Sequence, residues 1–164
     1  LHWLHCDKKG LCNPHANRPL VCKLYPILPK VSPNGEILGF FNGTIFDLFF
    51  SDKSHPCTLI RQNRQETQDI LKANLKDLLK DPNYIFIFMV ANIAVEHLQN
   101  YIKAKFGTYI IDDIAPNKLA EFWNEVEMAM VLRRAWNTHE FASDIEKAYK
   151  SVAQIWGEFL PIEP

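Results

Sequence analysis

Along the carboxy-terminal part of the chain, apolar residues recur at intervals of three and four, the spacing that gathers them on one face of a helix. Leu71, Leu75, Leu78 and Leu79 make the first such face, and Asn63 with Glu66 three residues later resembles a capping box that would start its helix. Asp81-Pro82 supplies an N-cap and a first-turn proline for a second helix through about Phe106, which Gly107 ends. Ala115-Pro116 opens a third, striped by Leu119, Phe122, Trp123, Val126 and Met130. Asn137 with Glu140 resembles another capping box, and Phe141, Ile145, Ala148, Val152, Ile155 and Phe159 stripe a fourth helix. Four such helices, each of about 15–25 residues, can pack as an antiparallel bundle.

The pattern changes near residue 62. All four cysteines lie before it, as do Pro14, Pro19, Pro26, Pro29, Pro33 and Pro56. Proline fixes φ and removes a backbone donor, so this part should be loops, turns and short strands. Ser32-Pro33-Asn34-Gly35 reads as a turn between residues 24–31 and 36–41, because Asn and Gly tolerate positive φ. The expected fold is mainly α: a Cys-rich loop and short β-hairpin forming a metal-binding segment over residues 1–62, packed on a bundle of about four helices over residues 63–164.

Composition narrows the classes. Eighteen basic and 19 acidic residues give a net charge of −1, with no segment concentrating Lys and Arg as a phosphate-binding face would, so nucleic acid is not expected as a partner. A hydrophobic share of 48%, with 12% aromatics, suits a compact fold and excludes a disordered tail. The longest apolar run, residues 84–95 (YIFIFMVANIAV), contains Asn92 and falls short of the about 20 residues of a membrane span. It reads as a buried core element. No span is expected, and the expected location is cytoplasmic.

The thiols Cys6, Cys12, Cys22 and Cys57 are spaced C-x5-C-x9-C-x34-C. Four soft ligands are what a tetrahedral zinc or a [4Fe–4S] cluster takes. An even number of cysteines also fits two disulfides, but the helical part should bury a core without staples. No close C-x2-4-C pair of the ordinary zinc knuckle is present. The residues between the thiols carry more: "GLCNPHANRPLVCKLYP" resembles the motif of the YkgJ-like cysteine-cluster family, a zinc- or iron-chelating domain. That motif runs C…C-x-I-Y-x-x-R-P-x-x-C-R-x-Y/F-P. Cys12, Arg18, Pro19, Cys22, Tyr25 and Pro26 fall on its positions, and Cys6 on the cysteine that opens it. Asn13-Pro14-His15 replaces x-I-Y, Lys23 replaces the following Arg, and the family's upstream cysteine group is missing from residues 1–164. The resemblance covers residues 6–26.

It implies a metal centre ligated by Cys6, Cys12 and Cys22; Cys57 is the expected fourth thiolate, with a cysteine before Leu1 as the alternative. Clustered thiolates repel one another, so the cationic Arg18 and Lys23 beside them would favour the charged forms, and Pro19 and Pro26 would stiffen the loop. Phe40, Phe41, Phe46, Phe49 and Phe50 could shield such a centre from water or simply fill the core. His5, His15 and His55 lie near the thiols and read first as surface histidines, with ligation as the alternative. A [4Fe–4S] cluster is the first expectation and Zn2+ the alternative.

Little else points to chemistry. There is no G-x-G-x-x-G, P-loop, G-x-S-x-G or H-E-x-x-H. Glu96-His97 and His139-Glu140 are adjacent on helices, where neighbours diverge by about 100°, and both pairs read as solvent-facing. Asp112-Asp113 reads as a helix-opening pair, Asn42-Gly43-Thr44 as a turn or a glycosylation acceptor, and Cys57 with His55 as a local thiol–base pair. Two functions follow. One is an iron–sulfur protein in electron transfer or accessory to a redox or modifying enzyme, which would be its protein partner. The other is a zinc-stabilised protein whose helices bind a partner. Flagellin lysine methylases carry a similar cysteine cluster, but no methyl-donor site is recognisable here.

Overall fold

The computed structural model describes residues 24, 26–43 and 47–160. Two antiparallel strands, β1 (Ile27–Val31) and β2 (Ile37–Asn42), are followed by α1 (Thr58–Leu75), α2 (Pro82–Phe106), α3 (Leu119–Val131) and α4 (His139–Trp156). The described chain is mainly helical with one small hairpin, as its patterning predicts.

The hairpin turns where Asn34-Gly35 stands. Gly35 takes φ 83°, its N–H reaches the Ser32 carbonyl at 2.9 Å, and the Ser32 N–H reaches the Glu36 carbonyl at 2.9 Å. Pairing runs from Ile27 opposite Asn42 to Lys30 opposite Gly39, then shifts so that Val31 faces Ile37. That shift leaves Leu38 as the extra residue of a β-bulge, and its side chain is exposed. Ile27, Pro29 and Val31 are buried in alternation, so β1 turns one face to the core.

Helix α1 begins at Thr58 with Cys57 as its N-cap, upstream of the start expected at Asn63. Asn63 instead interrupts the helix with φ −134° and ψ 35°. The capping character read in Asn63 and Glu66 is expressed as a kink. Ser, Thr, Asn and Asp offer the backbone local alternatives to helical bonds, and here Thr67 Oγ1 donates to the Asn63 carbonyl at 3.0 Å.

Helix α2 follows its punctuation closely. Asp81 accepts from the Asn83 N–H at 2.9 Å, Pro82 occupies the first turn, and Gly107 ends the helix at φ 79° with its N–H on the Lys103 carbonyl. Pro116 opens a 3-10 turn, Pro116–Lys118, that runs into α3. Past Val131, Arg133 takes φ 54°, with Arg134 N–H on the Ala129 carbonyl and Arg133 N–H on the Met130 carbonyl. This is the Schellman arrangement, with arginine where glycine is usual. Helix α4 is capped by Thr138, whose hydroxyl accepts from the Phe141 N–H at 3.1 Å, one residue after the Asn137 expected to cap it.

Two apolar clusters share α2. Ile85 and Phe88 near its start join Leu24, Val31, Leu75, Leu79 and Val152. Leu98 and Ile102 near its end join Leu48, Phe49, Phe122, Val126 and Ala129. Phe49 sits edge-on to Phe122 and Trp123, at centroid distances of 5.5 and 5.9 Å. By length and composition the segment from Pro82 is apolar enough to cross a membrane. In the fold its middle carries Glu96, 2.7 Å from Lys30 of β1, and His97, 3.1 Å from Asp144 of α4. It packs against β1, α3 and α4, but of residues 84–95, expected as a buried core element, Ile85 and Phe88 are buried while Ile87 is exposed.

Candidate functional site

Between β2 and α1 the chain makes a polar loop fastened at several points. It starts in the 3-10 turn Asp47–Phe49, which buries all three of its residues. Asn42, ending β2, donates through Nδ2 to the carbonyls of Asp47 (3.0 Å) and Phe50 (3.4 Å). Its Oδ1 accepts from Arg64 of α1, which also pairs with Asp52 at 2.6 Å. The Asn42 amide is thus engaged within the fold, and Asn42 itself ends a strand; Thr44 of Asn42-Gly43-Thr44 lies outside the described residues.

Within this frame lie His55 and Cys57. His55, expected at the surface, is fully buried. Its Nδ1 accepts from the Cys57 N–H at 3.0 Å, which puts the ring proton of the neutral form on Nε2. Nε2 faces the buried Asp47 carboxylate at 3.9 Å, beyond hydrogen-bond range. Burial pushes the His55 pKa below its ordinary 6.5, against the opposing pull of Asp47. The imidazole therefore serves the main chain: Nδ1 is taken by an amide, so it is not a base aimed at the Cys57 thiol.

Arg61 completes the turn. Its Nη1 donates to the His55 carbonyl at 2.6 Å and the Pro56 carbonyl at 3.1 Å, while its backbone N–H reaches the Cys57 carbonyl at 3.3 Å. Cys57 is half-buried, has extended φ and ψ (−79°, 124°), and forms no disulfide among the described residues. It stands at the positive end of α1, where negative charge is favoured.

Further fastening comes from Asp112. Its Oδ2 accepts from Ser51 and, at 2.7 Å, from Ser54, and these two hydroxyl bonds hold its carboxyl below the ordinary range. Asp112 and Asp113 are exposed as expected, but Asp112 latches the loop rather than opening a helix. His97 departs from the solvent-facing expectation: paired with Asp144, it lies edge-on to Phe141 at 5.2 Å. Glu96, His139 and Glu140 are exposed.

Of the expected ligands, Cys57 is in this turn. Cys6, Cys12 and Cys22, together with Arg18, Lys23, His5 and His15, lie outside the described residues. Among the described residues no group of three or more His, Cys, Asp or Glu side chains is placed to hold a metal ion. Sequence reasoning did not find Asn42, Asp47, Arg61 and Arg64 as the supports of Cys57. Arg61 alone left a signal, standing four residues after Cys57, one helical turn on. No protein-family model, no curated protein and no solved structure matches this chain.

Proposed function

We propose that the chain is a metal-binding protein in which Cys57 joins Cys6, Cys12 and Cys22 around one centre, a [4Fe–4S] cluster in first place, serving electron transfer or a redox or modifying enzyme. The observation that carries this reading is the presentation of Cys57. Cys57 stands at the N-cap of a helix, on a turn held by buried His55 and by Arg61. That support favours a ligand role, since metal sites depend on groups behind the ligand that fix its orientation. His55 is occupied by the Cys57 amide on one nitrogen and turned to Asp47 on the other, which leaves thiolate as the donor this turn offers. Thiolates select zinc and iron–sulfur clusters. The R-P-x-x-C-x-x-Y-P framing of Cys22, similar to the YkgJ-like family, supports the same reading.

Anaerobic purification of the full chain, with metal analysis and visible absorption, tests it. A brown protein containing iron and sulfide is the expected result. A colourless protein holding about one zinc per chain identifies the structural zinc alternative. Cys22→Ser and Cys57→Ser should each abolish binding. A metal-free protein with all four cysteines in disulfides would overturn the proposal, and full metal content in Cys57→Ser would remove Cys57 from the ligand set.

A further inference from the structure

We infer that Arg61 is the positioning residue of the Cys57 turn, fixing the backbone from which the thiol projects. The inference rests on Cys57 being a metal ligand, although its geometry stands alone. The Cys57 N–H is held by His55 Nδ1 at 3.0 Å and the Cys57 carbonyl by the Arg61 N–H at 3.3 Å. The guanidinium folds back over the turn to take the His55 and Pro56 carbonyls at 2.6 and 3.1 Å. Four main-chain groups across residues 55–57 are therefore tied to two side chains and one helical amide, and three of the four lead to Arg61.

A guanidinium nitrogen suits this task. Both bonds come from Nη1, whose two N–H groups are fixed in the guanidinium plane, whereas an ammonium is a point charge on a flexible stem. Bonds from a charged donor are stronger than neutral ones, and two of them on adjacent carbonyls hold a turn that proline alone would leave free on one side. Geometry and charge are separable: Arg61→Lys keeps the charge and loses the planar Nη1 donor, and Arg61→Gln loses both.

The test uses the full chain as wild type, Arg61→Lys, Arg61→Gln and, as a charge control on the exposed face of α1, Lys72→Gln. Amide exchange at Cys57 is followed in metal-free protein, and metal loss to a chelator in protein as purified, with far-UV circular dichroism confirming that each variant folds. Arg61→Gln should speed Cys57 exchange several-fold and metal loss about 10–100-fold, the range found for groups behind a metal ligand. Arg61→Lys should recover only part of the metal retention, and Lys72→Gln should match wild type in both readouts. Unchanged Cys57 exchange in folded Arg61→Gln overturns the inference, as does unchanged metal loss. If wild type holds no metal while Arg61→Gln still speeds exchange, the metal reading fails and the positioning of the turn by Arg61 stands.

Discussion

At Gly35 the backbone takes φ 83°, and a Cβ built there would lie 2.2 Å from the Leu79 carbonyl oxygen. Both the conformation and the space require glycine. Gly35→Ala should destabilise the protein by about 2 kcal/mol or more in urea unfolding, since backbone strain and a clash with a fixed carbonyl add. Arg133 is the opposite case. It holds φ 54° in a Schellman turn, a conformation costing a residue with a Cβ about 1–2 kcal/mol. Arg133→Gly should stabilise by about 0.5 kcal/mol, the strain relieved less the extra freedom glycine gains when unfolded, read as a higher urea midpoint. A lower midpoint would mean the Arg133 side chain makes a contact that outweighs its strain. His55 shows what single residues hide from sequence. Flanked by Ser54 and Pro56, it reads as loop surface, and its burial is decided by Asn42 and Asp47 closing the turn around it.

Among elements, legibility followed punctuation. Helix α2 was readable at both ends because Asp81-Pro82 and Gly107 act through their own backbone chemistry, whatever the surroundings. The hairpin turn was readable for the same reason. The start of α1 was not, since Cys57 caps it without a side-chain hydrogen bond and the turn is held by groups distant in sequence, Asn42 through Arg64 among them. Of the candidate site, the cysteines and their motif were legible, and the supports behind Cys57 were not. Where α2 and α3 meet, Glu125 accepts from Tyr101 at 2.8 Å, Lys105 at 2.8 Å and Arg134 at 3.3 Å. The Lys105 bond foremost holds its carboxyl below the ordinary 4.5. The unfolded chain therefore takes up this proton first as pH falls: the contribution is complete above about 4.5 and lost through the lower folded value. The stability gap between wild type and Glu125→Gln should be present at pH 7 and close below that range. A gap independent of pH would show that charge is not what Glu125 contributes.

In the molecule as a whole, α2 is common to both apolar clusters, so damage to one should be felt in the other. Ile85 is fully buried on the hairpin side, and Leu98 and Ile102 on the side of α3. Ile85→Ala should cost about 2–5 kcal/mol, as large-to-small core changes do, and should lower amide protection at Leu98 and Ile102 by the same free energy. Protection unchanged at those two positions would mean the clusters open independently.

The indole of Trp156 donates to the Pro33 carbonyl at 2.9 Å, and Val152 is buried in the cluster that holds Val31. The hairpin is thus latched by residues made long after it: 123 positions separate the two ends of that bond. At about 5–20 residues per second the ribosome needs roughly 6–25 s to cover the interval. A lone two-stranded hairpin is marginal in water. During synthesis β1 and β2 can dock on α2 as soon as it emerges, whereas the bond from Trp156 must wait until the end of α4 has left the exit tunnel.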